Sequence, residues 1–275
     1  MRRNIFLCLL LLPLCLLLLL FLVWPMVLIL WESFLVEGKL SLSNYLSMFT
    51  TKLYGDSLKT SLVLSLTTTI IGTVLGIPLS YALYRSGGRI KALMLSITPV
   101  PLTFSGLVVG FAFIILLGAS GFITLLLSKI FNLNPLEFSS FLFTWKGLVV
   151  AYLYFLIPRM VLTMISAWSK ADWSLVDAAY SLGASKWMTL RKVLLPMIWP
   201  AVLAGSSLLF AVSMGAFGTA FALSGTGVKI LPLVIYTHVS EISVDIGKAN
   251  ALAIILALVT TVMIMVYERV FATKQ

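Results

Sequence analysis

One polar stretch, 177-DAAYSLGASKWMTLRKVLLP-196, stands between two strongly apolar segments and carries the residues best suited to chemistry with a partner. Ser174 followed three residues later by Asp177 is a capping-box pattern, which predicts a helix start with a carboxylate near its positive end. Gly183 predicts a helix stop, because glycine readily adopts the left-handed backbone that ends many helices. Ser185 can cap a second helix. The stretch therefore predicts two helices joined by a glycine corner.

The faces of these helices indicate what the corner can do. Ala178 and Ala179 leave a small-residue face on the first helix, so another surface could approach its backbone closely. Pro196 and Pro200 follow the second helix and lead into the next apolar segment. The corner is thus suited to docking and not to catalysis.

The rest of the chain offers no catalytic set. His238 is the single histidine, which excludes a Ser/His/Asp triad and a histidine-rich metal site. No G-x-x-x-x-G-K-[ST] phosphate loop occurs, so we expect no ATP site and no cofactor in this chain. The sequence predicts that the protein is not an enzyme.

The composition fixes the class of protein. The 275 residues are 61% hydrophobic and 10% charged, whereas soluble domains are about 45–50% apolar and about 25% charged. We expect an all-α integral membrane protein with one domain over residues 1–275, since no linker composition separates a soluble module.

Membrane spans follow from the hydrocarbon thickness, which requires about 20 apolar residues per helical crossing. About six such stretches occur, at residues 5–31, 58–84, 92–118, 145–168, 200–223 and 248–268. The first is too long for the apolar core of a signal peptide and lacks an A-x-A-like exit, which predicts an uncleaved helix. The core helices then occupy residues 58–268.

The distribution of lysine and arginine predicts the orientation, because both favour cytoplasmic loops. With the N-terminus placed inside, the inner segments hold eleven cations and three acids, and the outer segments hold seven cations and six acids. Both termini and residues 169–199 are therefore expected in the cytoplasm. The formal net charge of +10 reflects this topology and contact with membrane lipid, and no basic surface interleaved with aromatic residues indicates nucleic acid.

The spacing D-A-A-x3-G-x9-V-x-L-P resembles the EAA loop of permease subunits of binding-protein-dependent ABC importers, whose pattern is E-A-A-x3-G-x9-I-x-L-P. The matching positions are Asp177, Ala178, Ala179, Gly183, Val193, Leu195 and Pro196. Aspartate for glutamate and valine for isoleucine are conservative departures. The resemblance covers most of the chain from the second span onward, including 208-LLFAVSMGAFGTAFALSG-225.

This resemblance implies the type I permease fold of ABC importers and an inner-membrane permease domain. It implies that the matched residues couple the chain to a cytoplasmic ATPase, which binds ATP on its own subunit. Two ATPases, a second permease, identical or paralogous, and a periplasmic binding protein complete the implied complex. The chain would form the substrate path and open it to alternate sides as the ATPases close.

Candidates for the substrate path come from the fourth and fifth spans. Arg159 lies inside the fourth span directly after Pro158, and an intramembrane arginine marks a functional site by default. Snorkelling to the interface, or pairing with a carbonyl freed by the proline, would also explain it. The fifth span adds Ser206, Ser213, Gly215 and Gly218. Close helix packing explains these four equally well.

The substrate and two alternative functions stay open at this point. The chain resembles permeases for polyamines, 2-aminoethylphosphonate and ferric iron, and more remotely those for sulfate and molybdate. A pore-facing Arg159 favours an anionic group such as phosphonate; otherwise a polyamine is equally expected. Ala216 stands where many relatives carry an acid, which weakens transfer of their preference. An ion-coupled secondary transporter would carry buried acids in paired broken helices, and a membrane scaffold would need no coupling motif.

Overall fold

The computed structural model describes residues 11–224, 227–240 and 244–272. Within them, six helical stretches are long and apolar enough to cross a membrane: Leu11–Ser33, Lys52–Arg85, Gly106–Phe131, Trp145–Lys170, Lys186–Gly215 and Ile246–Val266. The predicted helical membrane fold with six spans is confirmed. The predicted start of the first helix, at residue 5, lies outside the described residues.

The elements follow one another along the chain with short connections. In order they are α1 (described from Leu11 to Ser33), β1 (Leu35–Val36), β2 (Lys39–Leu40), α2 (Ser43–Thr50), α3 (Lys52–Arg85), α4 (Gly88–Ile97), α5 (Val100–Thr103), α6 (Gly106–Leu117), α7 (Phe122–Phe131), α8 (Pro135–Ser140), α9 (Trp145–Lys170), α10 (Trp173–Ser181), α11 (Lys186–Gly215), α12 (Gly218–Ser224), α13 (Leu231–Ser240) and α14 (Ile246–Ala272). A 3₁₀ turn, Phe141–Phe143, precedes α9. The described residues include two π-helical turns, Leu19–Val23 in α1 and Leu190–Leu194 in α11.

The chain divides into two compact units, Met1–Ser57 with Val234–Leu258, and Leu58–Leu233 with Val259–Gln275. In the first unit, β1 and β2 form a two-stranded antiparallel hairpin that the sequence did not predict. The buried Asn44 side chain holds the chain before it, donating to the Ser33 carbonyl at 3.0 Å. The prediction of one domain over the whole chain stays a prediction.

The second unit is built around α9. Its buried face includes a row of residues four apart: Leu148, Tyr152, Leu156, Met160, Met164 and Trp168. Rows of residues four apart form the ridges by which helices pack. A Cβ at Gly76 of α3 would lie 2.6 Å from the Met160 side chain, and one at Gly205 of α11 would lie 2.7 Å from it. The helices α3, α9 and α11 therefore approach closely, because the residues of α3 and α11 that face Met160 are glycines.

The third predicted span, 92–118, differs from the structure because its helix is interrupted twice. α4 ends at Ile97, α5 is one short turn, and α6 begins at Gly106. Pro99 and Pro101 lie at these breaks, and proline has no N–H to continue a helical ladder. Phe104 leaves the helix with extended backbone. The long apolar stretch at this point is instead Gly106–Phe131.

The fifth predicted span, 200–223, is displaced as well. The helix begins at Lys186 and ends at Gly215. Ala216 takes an extended backbone, and a separate short helix, α12, follows. The second, fourth and sixth spans match their predicted bounds to within six residues at either end.

Candidate functional site

The polar segment between the fourth and fifth spans begins with α10, whose N-cap is Asp172. Its carboxylate accepts a hydrogen bond from the backbone N–H of Ser174 at 3.1 Å and another from the Ser174 hydroxyl at 2.6 Å. The predicted capping box of Ser174 with Asp177 is therefore wrong, because Asp172 caps the helix and Ser174 lies inside it. Asp177 instead occupies an exposed position on α10.

Gly183 ends α10 as predicted. Its φ is 79°, in the left-handed region. The N–H of Gly183 donates to the Tyr180 carbonyl at 2.9 Å, and the N–H of Ala184 donates to the Ala179 carbonyl at 3.0 Å. This pair of bonds is the Schellman motif that satisfies the last carbonyls of a helix. A Cβ at Gly183 would meet no atom within 4 Å, so the backbone conformation alone demands glycine.

The second helix of the corner is continuous with the fifth span. The Ser185 hydroxyl accepts from the Met188 N–H at 3.3 Å, which confirms the predicted cap. The helix it starts then passes through the π-helical turn Leu190–Leu194 and runs on to Gly215. Since Pro196 has no N–H to donate to the preceding turn, an irregular turn just before it is expected. A force on this helix therefore acts directly on a membrane span.

The residues of the predicted coupling motif lie on the outside of the corner. The exposed members are Asp177, Ala178, Gly183, Leu195 and Pro196, and the half-buried members are Ala179 and Val193. The small-residue face predicted from the two alanines is thus accessible at Ala178 and partly at Ala179. The role of these residues in coupling stays a prediction.

Large apolar side chains surround the motif, and sequence reasoning missed them. Leu182 is 88% exposed and Trp187 is 68% exposed, on either side of Gly183. Leu175 and Met188 are also about half exposed or more. Contiguous exposed apolar residues with a polar rim mark interaction sites. The sequence held one signal for them: Leu182 and Trp187 lie close to Gly183, where the chain turns and leaves their side chains uncovered.

We define the corner surface as Asp177, Ala178, Leu182, Gly183 and Trp187. It combines an exposed carboxylate and a small residue of α10 with two large, mostly exposed apolar side chains on either side of Gly183. Buried aromatic and aliphatic anchors carry most of the energy of protein interfaces. The corner surface can therefore seat in an apolar groove of a partner protein.

An aromatic cluster joins the corner to α3 and α9. Trp173, at the start of α10, stacks on Tyr84 with ring centroids 5.7 Å apart. Its Nε1 donates to the Trp168 carbonyl at 3.2 Å, and Trp168 Nε1 donates to the Ser80 hydroxyl at 3.0 Å. Tyr81 completes the cluster, 5.2 Å from the Trp168 ring. α10 is thus tied by rings and hydrogen bonds to the second and fourth spans.

Three of the predicted substrate-path residues line one pocket. Arg159, Gly215 and Gly218 lie around a volume of about 290 Å³, together with residues of α5, α6 and α12. Arg159 is half-buried, and its Nη1 atom is fully buried. The structure therefore brings together the arginine and the two glycines, which sequence reasoning placed on different spans.

The two serines lie elsewhere. Ser213 is buried and shares a hydrogen bond of 2.9 Å with the Thr68 hydroxyl, between α11 and α3. Ser206 donates to the Val202 carbonyl at 2.6 Å and, with Ser207, lines a separate, mostly apolar cavity of about 250 Å³. Ser213 thus makes a contact between two helices and Ser206 bonds within its own helix, and their part in a substrate path stays a prediction.

Comparison with known proteins agrees with this geometry. Residues 69–272 match the family model described as binding-protein-dependent transport system inner membrane component. The chain is 28% identical over 253 residues to the spermidine/putrescine transport system permease protein PotB of Escherichia coli (strain K12), over 89% of this chain and 90% of that protein. It is 30% identical over 186 residues to the molybdenum transport system permease protein ModB of the same organism, over 66% of this chain and 79% of that protein.

A solved structure shares the fold. The bacterial alginate ABC transporter in complex with an alginate pentasaccharide-bound periplasmic protein contains a chain that matches with a TM-score of 0.77 and 19% identity. The match covers 98% of this chain and 94% of that chain. At this identity the likeness is one of fold, and the predicted type I fold of ABC importer permeases is confirmed.

Proposed function

Because the chain belongs to the family of inner membrane components of binding-protein-dependent transport systems, we propose that it forms the substrate path of an ABC importer and couples this path to a separate ATPase. The chain is a multi-pass protein of the bacterial inner membrane, and its relatives are transport permeases. Its own work is therefore movement of a solute and not bond chemistry.

The corner surface is the observation that carries the coupling role. Leu182 and Trp187 are mostly exposed. The end of α10 and the start of α11, which meet at Gly183, are already capped by hydrogen bonds within the chain. Helix-in-groove docking uses such apolar anchors beside small residues that permit close approach. We assign the cytoplasmic ATPase as the owner of the groove, with Asp177 accepting hydrogen bonds at its rim.

Two routes carry motion from the corner into the membrane. The first is α11 itself, which is one helix from the corner at Lys186 to the pocket at Gly215. The second is the stack of Trp173 on Tyr84, which joins α10 to α3. When the ATPases close on ATP, displacement of the corner surface shifts these helices together and exposes the path to the other side of the membrane.

The partners that complete the importer lie outside this chain. We propose two copies of the ATPase, which bind and hydrolyse ATP, a second permease, identical or paralogous, and a periplasmic binding protein. The likeness in fold to a transporter solved with its periplasmic protein supports the last of these. We propose that the coupling segment, residues 169–199, lies in the cytoplasm, and the excess of lysine and arginine on that side supports this.

For the substrate, we propose a polyamine or 2-aminoethylphosphonate, with ferric iron as the third candidate. Similarity to a spermidine/putrescine permease supports a polyamine. Similarity to a molybdenum permease and the presence of Arg159 in the pocket support an anion.

Co-purification tests the proposed function. The permease is solubilised from membranes in which its genomic neighbours are co-expressed, and we expect a cytoplasmic ATPase to remain bound and to hydrolyse ATP faster when the loaded binding protein is added. Uptake that needs no ATPase, and that a protonophore abolishes while ATP is held constant, would contradict the proposal in favour of an ion-coupled carrier.

A further inference from the structure

Arg159 lies near the middle of α9. At 1.5 Å per residue, its Cα is about 17 Å along the helix from Lys170 and about 21 Å from Trp145. Snorkelling explains arginines close to a helix end, and this position is too far from both ends. The buried Nη1 atom has no hydrogen-bond partner among the described residues, so a freed carbonyl does not account for it either.

The pocket in front of Arg159 is formed by two helix breaks. One lies at Phe104, before α6, and the other spans Ala216 between α11 and α12. Non-helical backbone at membrane depth is tolerated where it is buried in protein or lines a water-filled cavity. Broken helices are also where transporters bind their ions and substrates. The position of both breaks at one pocket indicates a binding site.

Hydrogen bonds hold both breaks in place. The Thr219 hydroxyl donates to the Gly106 carbonyl at 2.9 Å, joining α12 to the start of α6. The Tyr152 hydroxyl of α9 donates to the Ala216 carbonyl at 2.6 Å. The irregular backbone is therefore fixed by side chains from two helices, α12 and α9, as in a preformed site.

The charges around the pocket favour an anion. The twelve-residue helix α6 begins at the pocket with its partial positive end, and α11 ends there with its partial negative end, so Arg159 supplies the net positive charge of the pocket. The guanidinium of Arg159 offers a planar fork of N–H donors that matches the oxygens of an oxyanion. No acidic residue lines the pocket or occurs within the spans Gly106–Phe131, Trp145–Lys170 and Lys186–Gly215. A polyamine, whose charged groups are all ammonium groups, would find repulsion here and no carboxylate.

We propose that this pocket binds a tetrahedral oxyanion group of the imported substrate, with Arg159 as its charged partner. The proposal rests on the proposed function, since it assumes that the chain carries a solute, and it favours an anionic substrate over the polyamine and ferric iron named there. A phosphonate such as that of 2-aminoethylphosphonate, or molybdate, presents the required oxygens. A polyamine does not. A lipid phosphate shares this chemistry and is separated from a solute by the experiment.

The experiment measures binding to the permease–ATPase complex in a maltoside detergent without the binding protein. Equilibrium dialysis is run separately with 2-aminoethylphosphonate, molybdate and spermidine. We expect at least one oxyanion to bind the wild type, and Arg159→Met to weaken it about tenfold or more, because a hydrogen bond to a charged group is lost. Arg159→Lys, which keeps the charge, should bind the oxyanion with an affinity between those of the wild type and Arg159→Met. Arg89→Met, the same substitution at an exposed site, should leave binding unchanged.

Three outcomes would overturn the oxyanion pocket. The first is equal oxyanion binding by wild type and Arg159→Met. The second is binding of spermidine in place of both oxyanions. The third is that Arg159→Met loses a tightly retained phospholipid, seen by mass spectrometry, while its oxyanion binding is unchanged. That result would mean that the guanidinium binds a lipid phosphate.

The same samples separate this inference from the proposed function. ATPase co-purification and ATP hydrolysis are recorded for every variant. If both persist while oxyanion binding is absent or independent of Arg159, the pocket assignment is wrong and the permease function stands. If the ATPase does not co-purify with the wild type, the proposed function and the inference that rests on it both fail.

Discussion

The indole ring of Trp173 stacks on the phenol ring of Tyr84, with centroids 5.7 Å apart and ring planes inclined by 10°. The Nζ atom of Lys91 lies 5.1 Å from the centroid of the same Tyr84 ring and donates to the Tyr84 carbonyl at 3.0 Å. Aromatic pairs contribute about 0.5–1.5 kcal/mol beyond simple burial, and cation–π contacts contribute about 0.5–1 kcal/mol at exposed sites. One tyrosine at the end of α3 therefore joins the start of α10 to α4.

Trp173→Ala should uncouple hydrolysis from transport. It removes the stack on Tyr84 and the hydrogen bond to the Trp168 carbonyl, so motion of α10 no longer reaches α3. We expect uptake in proteoliposomes to fall about fivefold or more, while the ATPase stays bound because Trp173 lies outside the corner surface. Trp173→Phe, which keeps a ring without the Nε1 donor, should retain most of the uptake. If Trp173→Ala instead released the ATPase, the cluster would belong to the docking interface.

Leu182→Ala and Trp187→Ala should weaken ATPase docking. Truncation of a large anchor at an interface costs about 2 kcal/mol or more, which corresponds to a dissociation constant raised at least tenfold. Both side chains are mostly exposed in the isolated chain, so thermal stability should change by less than about 0.5 kcal/mol. Phe122→Ala, at the first residue of α7, where the side chain is 70% exposed, is the matched control. If Leu182→Ala, Trp187→Ala and Phe122→Ala all bound the ATPase with equal affinity, the corner surface would not be the docking site.

Substitutions at Gly183 separate backbone conformation from charge. Gly183→Val should break coupling, because a β-branched residue resists the left-handed backbone by about 1–2 kcal/mol or more. Gly183→Asn should keep most of the uptake, since asparagine tolerates this conformation. Gly183→Asp, which is isosteric with asparagine, should leave the protein in the membrane but abolish uptake and binding-protein-stimulated ATP hydrolysis, because it forces a charge toward the partner. Full activity of Gly183→Asp would contradict the docking of this turn.

Gly110→Ala should destabilise the contact between α6 and α12. A Cβ at this position would lie 2.5 Å from the Ala222 Cβ, which cannot swing away. Overpacking of this kind costs about 1–3 kcal/mol, so we expect a lower thermal midpoint in detergent and weaker oxyanion binding. Gly55→Ala is the control: a Cβ there meets no atom within 4 Å, and alanine in a helix interior gains about 0.5–1 kcal/mol over glycine. Equal midpoints for the two variants would mean that α12 is free to shift.

Local sequence signals predicted the parts of the fold that depend on a few adjacent residues. Gly183 and Ser185 were recognised as a stop and a cap because each acts on backbone groups within four residues, and the structure shows both. The capping box failed for the same local reason: Asp172, two residues before Ser174, competes for the same N–H and wins. Whether Asp172 or Ser174 caps α10 depends on where α9 ends. The hydropathy of the sequence does not fix that end to within two residues.

Contacts between distant residues could not be predicted. Trp173 and Tyr84 are far apart in the chain, and nothing in either local sequence indicates that their rings stack. The pocket at Arg159 likewise depends on two helix breaks brought together by packing of α6 on α12. The proline and glycine positions indicated the breaks, but their meeting point is a property of the fold.

The most direct test of the central claim is photo-crosslinking from the corner surface. p-Benzoylphenylalanine is incorporated in place of Leu182 or, as a control, in place of Leu136 of α8, which is 69% exposed. The account predicts a covalent adduct with the ATPase subunit from position 182, a yield that changes when ATP is added, and no ATPase adduct from position 136. A complex that retains its ATPase but gives no adduct from position 182 would contradict the claim that this corner docks the ATPase.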